Sequence, residues 1–396
     1  MSTAIAVAAP AVVLGGLLLW LINWYFHEQK SGGSAVQKKS RVSSLPPVPE
    51  VPGLPVIGNA LQLREGRPHM TFAKLAKKYG PIFSIRVGSK PIIGSTSHCQ
   101  GDDVAKDFHN HVKNHGLQPV NFRDIYSSDI FGLALKEGNF ERKVEKMYFR
   151  RLAVMKALIK EQTERAASGE EMNNCYLKYL LAEGKTLTEK EITSLVWEVI
   201  IESSDTTMIT TEWALFELAR NPKIQESLYE EIRSICGSGK VTEDNLCQLP
   251  FLDAVFHETL RKYPALPMVP LRYVNEDIEL GGYYVPAGSE IAINLYGCNV
   301  NEKQWEKPDE WNPERFLNDR EEYAPNDLYK TMAFGAGKRL CAGALQGVVV
   351  GSTTIGRLVQ EFEWRLEDRE ARDMEIVGIA TQKLRPMHAV IRPRNL

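Results

Sequence analysis

The residues around Cys341 are of the types that could hold a metal ion through sulphur. Glycines in the run 334–340 allow a tight turn close to a flat ligand. An apolar segment with helical spacing follows from about 342 to 359. A helix N-terminus together with the cation of Arg339 favours the thiolate that a metal-ligating sulphur requires. The alternative is a buried structural cysteine in a glycine-rich turn, which is the simpler interpretation for Cys341 taken alone.

A second group of charged residues could form an internal ion network. Glu258 and Arg261 are three residues apart in a segment with helical spacing, so they share one face. Arg315 follows in the sequence Pro-Glu-Arg-Phe at 313–316. Taken alone, Glu258 and Arg261 would be an exposed pair of small energetic value.

Hydroxyl and acidic side chains in the middle of a long helix form a third group. Thr188 and Glu191 have the spacing of a capping box, and apolar periodicity continues from there to about 219. Asp205 and Thr206 lie near the centre, where such residues compete for backbone hydrogen bonds and favour a local opening or a water site. A solvated polar stripe is the alternative. One predicted face comprises Ile192, Val196, Val199, Ser203 and Thr206.

The elements that must position these residues are mostly helices. Periodicity, prolines and caps predict helices at 71–79, 188–219, 224–236, 250–263 and 342–359, and β-rich runs predict strands at 82–87, 91–93, 271–274, 278–285 and 290–294. The first two strands suggest a hairpin around Gly88. Residues 98–185 are polar and helix-prone with weak signals. The predicted fold class is therefore mainly α with a minor β-sheet region.

The N-terminal part differs from the rest. Residues 1–27 contain an apolar run that is long enough to cross a bilayer as a helix, and they read as a retained single-pass membrane anchor. A cleaved signal peptide is the alternative, but its charged start and cleavage site are not clear here. Residues 28–58 form a basic and proline-rich linker, and 59–396 a single domain. The lysines and the arginine after the anchor place this domain on the cytosolic side.

Overall composition excludes several function classes. Lys and Arg total 48 against 50 Asp and Glu, with a net charge of −2, so no nucleic-acid partner is expected. The 43% hydrophobic content is that of a globular protein. Six scattered cysteines predict a reducing compartment rather than a disulfide framework.

The complete loop changes the interpretation of Cys341. Phe334, Gly337, Arg339, Cys341 and Gly343 fill every specified position of Phe-x-x-Gly-x-Arg-x-Cys-x-Gly, which resembles the haem-binding loop of the cytochrome P-450 superfamily. The resemblance implies a cytochrome P-450 fold and a haem cofactor. It makes Cys341 the axial thiolate of the iron and pairs Arg339 with a haem propionate.

The same resemblance gives roles to the charged residues. It makes Glu258, Arg261 and Arg315 a buried structural network that braces the haem loop. Arg272 matches a position that contacts the second propionate, with a plain surface arginine at a strand start as an equal alternative.

The acid–alcohol pair Asp205 and Thr206 resembles the pair that relays protons to iron-bound oxygen in this superfamily, and on that ground both are candidate catalytic residues. The sequence departs from the usual pattern before the acid, because Glu202 and Ser203 stand where small residues are usual.

Longer stretches narrow the resemblance to the ent-kaurene oxidase family of plants. They cover most of 187–396, with pieces of 52–94 and 112–165. This implies stepwise oxidation of one methyl group of a diterpene hydrocarbon to the carboxylic acid, a step of gibberellin synthesis. The implied partners are O2, an NADPH-dependent flavoprotein reductase and a membrane, either the endoplasmic reticulum or the plastid envelope. Met268, Val269 and Ile379 correspond to substrate-facing positions, although ordinary core packing is an equal alternative for each.

The chain is shorter than this resemblance requires. Only about 90 residues separate Gly94 from Thr188, and no tryptophan lies between Trp24 and Trp197 to supply the usual Trp-x-x-x-Arg propionate contact. We expect a fold that is incomplete in its central helices, shortened between about 95 and 185. A truncated, non-catalytic relative and a monooxygenase of another terpenoid therefore stay open. A zinc site at the histidines between 98 and 115 is disfavoured. These histidines lie in a polar segment next to a place where family residues are missing from the sequence.

Overall fold

The computed structural model describes residues 44–63, 67–88, 90–96, 140–168, 176–182, 187–269, 271–317, 331–336, 340–366, 376–377, 382–383 and 387–394. Eight α-helices make up about half of these residues. The helices are α1 Pro68–Tyr79, α2 Phe140–Ala167, α3 Tyr176–Ala182, α4 Glu189–Arg220, α5 Pro222–Cys236, α6 Pro250–Lys262, α7 Leu295–Asn299 and α8 Ala344–Glu361. Short 3₁₀ helices cover Ala60–Leu63, Glu243–Gln248 and Pro313–Phe316.

Capping residues set the ends of the long helix α4. The Thr188 side chain accepts a hydrogen bond from the Glu191 backbone N–H, and the Glu191 carboxylate accepts one from the Thr188 backbone N–H, so the predicted capping box is confirmed. Asn221 ends α4, and Pro222 begins α5 in the first turn, where its missing N–H costs nothing. The helix is continuous across 205–207, so the local opening expected there is not seen.

The strands form small sheets. They are β1 Ile82–Val87, β2 Lys90–Ser95, β3 Arg272–Tyr273, β4 Ile278–Leu280, β5 Tyr283–Val285, β6 Glu290–Ile293, β7 Phe362–Leu366, β8 Ile376–Val377, β9 Gln382–Lys383 and β10 Ala389–Pro393. The largest sheet has the order β1-β2-β6-β3. Strands β1 and β2 pair as the predicted hairpin. The prediction of one strand over 278–285 is wrong, because Gly281 and Gly282 adopt positive φ values of 55° and 79° and turn the chain into a β4–β5 hairpin.

The main hydrophobic core lies where α4, α6 and α8 meet. Trp213 and Phe216 of α4, Val255 and Phe256 of α6, and Ile355 of α8 are all buried there. Helix α8 approaches α6 closely at Gly351, where a Cβ atom would lie 2.5 Å from a ring carbon of Phe256. The helix that follows Cys341 is therefore fixed against two other helices of the core.

The described residues agree with a mainly helical fold with a minor sheet. The described residues from 45 onward belong to one compact unit. Within the described ranges, no helix combines the length and the apolarity needed to cross a membrane. The predicted anchor at 1–27, most of the predicted linker and the segment 97–139 lie outside the described residues.

Candidate functional site

The described parts of the loop before α8, residues 331–336 and 340–343, are held by backbone hydrogen bonds. The backbone N–H of Cys341 donates to the Phe334 carbonyl over 2.8 Å, and that of Gly335 donates to the Met332 carbonyl over 2.8 Å. Met332 and Gly335 adopt positive φ values of 52° and 75°. These bonds hold the cysteine beside Phe334, with α8 beginning three residues later.

The thiol of Cys341 suits a ligand that approaches from outside the loop. It is a free, exposed cysteine. Phe334 is partly buried against the main core, and a Cβ atom at Gly347 would lie 3.4 Å from its ring. Within the described ranges, no group of three or more His, Cys, Asp or Glu side chains could hold a metal ion. An exposed thiol directly before the start of α8 fits a prosthetic group whose iron takes one sulphur ligand from the protein.

Two predicted members of the loop lie outside the described residues. Gly337 and Arg339 fall there, so the pairing of Arg339 with a propionate stays a prediction.

The predicted ion network is brought together around one buried carboxylate. Glu258 and Arg261 are both fully buried, and Arg261 donates to the Glu258 oxygens over 2.6 Å and 2.8 Å. Arg315 donates to Glu258 Oε1 over 3.2 Å, and the Asn312 backbone N–H donates to the same oxygen over 2.8 Å. The charge of Glu258 is thus matched by two guanidinium groups and an amide, as a buried carboxylate requires.

The two arginines also hold an irregular segment of backbone. Arg261 donates to the carbonyls of Asn299 and Glu310 over 2.7 Å and 3.0 Å. Arg315 donates to the carbonyls of residues 306, 307 and 310 over 2.8 Å to 3.3 Å. The ring of Trp305 lies 5.2 Å from the Arg261 guanidinium carbon. The network therefore joins α6 to the chain between 299 and 315, while its predicted role in bracing the haem loop stays a prediction.

The predicted proton-relay pair lies on α4 but is open to solvent. Asp205 is exposed and Thr206 half-buried. The Thr206 hydroxyl donates to the Glu202 carbonyl over 2.7 Å, and Thr210 donates to the Thr206 carbonyl over 2.9 Å. Partial desolvation, and then the nearby Glu198 carboxylate, raise the pKa of Glu202 above its ordinary value.

The face predicted to contain Thr206 is only partly buried. Ile192 is buried and Val196 half-buried, whereas Val199 and Ser203 are exposed. Ile200 and Met208, two further apolar side chains of this stretch, are 42% and 53% exposed. This half of α4 therefore presents apolar side chains to solvent.

Three of the remaining predicted residues, Arg272, Met268 and Val269, lie at or next to the four-stranded sheet. Arg272 is half-buried in β3, opposite Ile291 of β6. Met268 and Val269 are half-buried against two small hydrophobic clusters, and the Val269 N–H donates to the Ile293 carbonyl over 2.9 Å. Ile379 lies outside the described residues. Met268 and Val269 thus pack as partly buried core residues.

A further buried carboxylate was not found from the sequence. Glu217 of α4 accepts hydrogen bonds from the Tyr263 hydroxyl over 2.5 Å and from Lys262 over 2.9 Å. Burial, and then the Glu217 charge, raise the pKa of Tyr263 far above its ordinary range. The available signal was an acid between Phe216 and Leu218, inside an otherwise apolar stretch of helix.

Comparison with known proteins identifies relatives over nearly the whole chain. Ent-kaurene oxidase of Salvia miltiorrhiza is 39% identical over 511 aligned positions, covering 99% of this chain and 96% of the relative. Ent-kaurene oxidase 2 of Oryza sativa subsp. japonica is 38% identical, with coverages of 88% and 92%. Ent-sandaracopimaradiene 3-hydroxylase of the same rice is 34% identical, with coverages of 88% and 91%.

These alignments are longer than the chain itself. The alignment with the Salvia protein has 511 positions but includes only 99% of the 396 residues of this chain, or about 392. About 120 aligned positions therefore have no counterpart in this chain. The alignments with the two rice proteins have 466 and 469 positions and include 88% of this chain, so a similar number of positions has no counterpart. Because the matches span most of both partners, the deficit lies inside the aligned region.

A family model described as Cytochrome P450 matches residues 46–160 and 98–390, which together include the Cys341 loop and the Glu258 network. Membership of that family implies a haem-thiolate iron cofactor, O2, a hydrophobic substrate and a reductase as electron donor. The extent of this match, with the relatives' identities of 34–39%, establishes that the chain belongs to the cytochrome P450 family of monooxygenases.

Proposed function

We propose that the protein oxidises a methyl group of a diterpene hydrocarbon stepwise to the carboxylic acid, in the manner of an ent-kaurene oxidase. The observation that carries this proposal is the free, exposed thiol of Cys341, held by the Phe334 carbonyl directly before α8. The choice of substrate class is supported by relatives named ent-kaurene oxidase at 38–39% identity. We place the reaction in gibberellin synthesis on the same ground.

Each side chain has a specific task in this proposal. The Cys341 sulphur would ligate the haem iron, and Arg339 and Arg272 would neutralise the two propionates. When bound, haem iron supplies the activation of O2 that attack on an unactivated methyl group requires. Thr206 and Asp205 would carry protons from solvent along α4 into the site. Glu258, Arg261 and Arg315 fix the segment that precedes the haem loop.

The substrate site should be apolar, because the substrate has no polar group to recognise. Met268, Val269 and Ile379 contribute one wall of it. The exposed Val199, Ile200 and Met208 of α4 offer further apolar surface to a hydrocarbon and to the haem face. Binding would remove these side chains from water.

The cellular setting follows from the apolar N-terminal sequence. Residues 1–27 anchor the chain in the endoplasmic reticulum or the plastid envelope, with the domain 59–396 in the cytosol and the basic, proline-rich residues 28–58 as linker. A membrane suits a hydrocarbon substrate that partitions into lipid. An NADPH-dependent flavoprotein reductase supplies the electrons.

The second candidate is a shortened relative that does not turn over substrate. About 120 internal positions of the Salvia relative have no counterpart here, and the middle of α4 is open to water. Water reaching the middle of α4 would compete with substrate and divert reduced oxygen. The fold would then be incomplete in its central helices.

The test uses the whole chain expressed with a plant flavoprotein reductase in microsomes. Ent-kaurene is supplied with NADPH, and ent-kaurenoic acid is measured by mass spectrometry, beside ent-sandaracopimaradiene as a competing substrate. Formation of the acid supports the first candidate, and a hydroxylated second substrate without acid points to another terpenoid. A normal reduced carbon-monoxide spectrum without any product supports the non-catalytic relative.

A further inference from the structure

A groove separate from the Cys341 loop lies on the outer side of α8. It has a volume of about 330 Å³ and is bounded by the 3₁₀ helix Glu243–Gln248, the start of α6 and the first turns of α8. Pockets that hold small organic ligands have volumes of roughly 300–1,000 Å³. The groove is therefore large enough for a small molecule, and none of the described residues that line it belongs to the loop 331–341.

Most of the lining is apolar. Leu246, Leu345 and Val349 are among the residues that form it. Leu345 is 70% exposed, and Val350 of the same helix is 41% exposed, so the first turns of α8 present apolar surface to solvent. An apolar group of a ligand would remove this surface from water and gain free energy by doing so.

The polar lining residues have a consistent chemistry. Glu243 and Asp253 line the groove, and the described residues that line it include no lysine or arginine. Asp253 is 30% exposed at its side chain and has His257 as a neighbour at 3.5 Å. The two carboxylates make the groove favourable for a cation and unfavourable for an anion.

Ser352 gives the groove an unsatisfied buried group. It lines the groove, is 3% exposed, and its hydroxyl has no hydrogen-bond partner among the described residues. Buried hydroxyls in native proteins are nearly always paired, because an unpaired one loses its hydration without compensation. The hydroxyl can accept a hydrogen bond from an N–H group of a bound molecule.

We propose that this groove binds a small organic cation, with its apolar body against Leu345 and Val349 and its N–H groups toward Glu243, Asp253 and Ser352. The site is independent of the haem ligand and of the diterpene substrate. Its ligand class comprises molecules with a guanidinium or ammonium group on a hydrocarbon body.

The probe should be benzylguanidinium, with benzylurea as its neutral analogue of the same shape. A guanidinium group stays protonated and has no free lone pair for iron, so binding can be measured on the haem-loaded protein without interference. Binding is measured by isothermal titration calorimetry. As a second readout, the groove's own Cys247, which is exposed, is alkylated with iodoacetamide and followed by peptide mass spectrometry, with half-buried Cys236 as internal reference.

We expect benzylguanidinium to bind, to slow alkylation of Cys247 and to leave Cys236 unchanged. Benzylurea should bind about tenfold more weakly, because it lacks the charge that the exposed Glu243 and half-buried Asp253 carboxylates attract. In the double variant Glu243→Gln/Asp253→Asn, the ratio of the affinity for benzylguanidinium to that for benzylurea should fall to about one. Ser352→Ala should weaken binding about threefold.

Two matched variants separate the groove from general effects. Glu279→Gln removes an exposed carboxylate of β4 outside the groove and should leave binding unchanged. Leu345→Ala removes exposed apolar surface, is tolerated by the fold, and should weaken both ligands equally. Equal affinity for the cation and the urea, unchanged affinity in the double variant, or unprotected Cys247 at saturation would overturn the proposal.

Discussion

At the scale of single residues, the sulphur of Cys341 has the most specific consequence. The described part of the chain offers no other grouped donors for a metal ion, and Cys341 is free and exposed. We expect Cys341→Ser to abolish the red-shifted Soret band of the ferrous carbon-monoxide complex, because a neutral hydroxyl cannot replace the thiolate as electron donor. Cys247→Ser, an exposed thiol elsewhere, is the control and should keep the band. Survival of the band in Cys341→Ser would show that another residue ligates the iron.

His69 makes the stability depend on pH. It is 1% exposed, neither ring nitrogen has a partner among the described residues, and its ring lies edge-on to Tyr296 at 5.2 Å. Burial, and then the positive charge of Arg67, lower the pKa of His69 from 6.5 to about 4. As the pH falls, His69 is therefore protonated near pH 6.5 in the unfolded chain but only near pH 4 in the folded chain.

The free energy of unfolding should accordingly decrease as the pH falls from about 6.5 to about 4, and His69 should not affect it above pH 6.5. The contribution of His69 is about 3 kcal/mol between the two limits. His69→Phe keeps an aromatic ring against Tyr296 and should flatten this slope, measured as the free energy of unfolding in urea at pH 7 and pH 4.5. His388→Gln, at an exposed position, should leave the slope as it is. An unchanged slope in His69→Phe would assign it to other groups.

At the scale of elements, the contact between α4 and the end of α6 depends on the carboxylate of Glu217. Glu217 is 2% exposed at its side chain, and Lys262 is 16% exposed. Removing one partner of a buried pair leaves the other uncompensated. Glu217→Gln should therefore destabilise the protein by about 2 kcal/mol, whereas Glu302→Gln, in an exposed pair with Lys77, should cost below about 0.5 kcal/mol. The free energy of unfolding in urea checks both variants. Equal losses would mean that the contact between α4 and α6 depends on packing alone.

The contact between α6 and α8 depends on a residue without a side chain. A Cβ atom at Gly351 would lie 2.5 Å from Phe256, whereas one at Gly347 of the same helix would make only ordinary contact at 3.4 Å. Gly351→Ala should lose about 1–3 kcal/mol through overpacking, despite the better helix propensity of alanine. Gly347→Ala should be neutral or slightly stabilising in the same urea titration. Similar values for both would show that Phe256 can move aside.

The elements differ in how far the sequence predicts them. The ends of α4 were predictable because a capping box and a proline act locally. The β4–β5 turn was missed, because Ile278 to Val285 keeps a β-rich pattern through Gly281 and Gly282. The Glu258 network could be anticipated only through a family motif, since the spacing of Glu258 and Arg261 alone suits a surface pair. Glu217 was missed because burial of one acid depends on the neighbouring helix, which a single sequence does not specify.

At the scale of the whole molecule, the internal deficit should control function more than folding. The core between α4, α6 and α8 is complete without the missing positions, whereas the apolar side chains at the middle of α4 are exposed. We expect a chimaera that carries the corresponding internal segments of the Salvia relative to bind substrate more tightly and to couple NADPH use to product more efficiently. The ratio of peroxide to product measures this. An unchanged ratio in the chimaera would mean that the present chain already closes its site.

The carbonyl contacts of Arg261 and Arg315 have a consequence for local motion. The segment between 299 and 316 has little regular backbone pairing. Two arginines that bind the Glu258 carboxylate hold much of it in place, Arg261 from α6 and Arg315 from the segment itself. Opening it exposes a buried carboxylate, so it cannot open without disturbing α6. Hydrogen exchange should therefore show the amides of this irregular segment protected to the same degree as those of α6, the two parts unfolding as one cooperative unit.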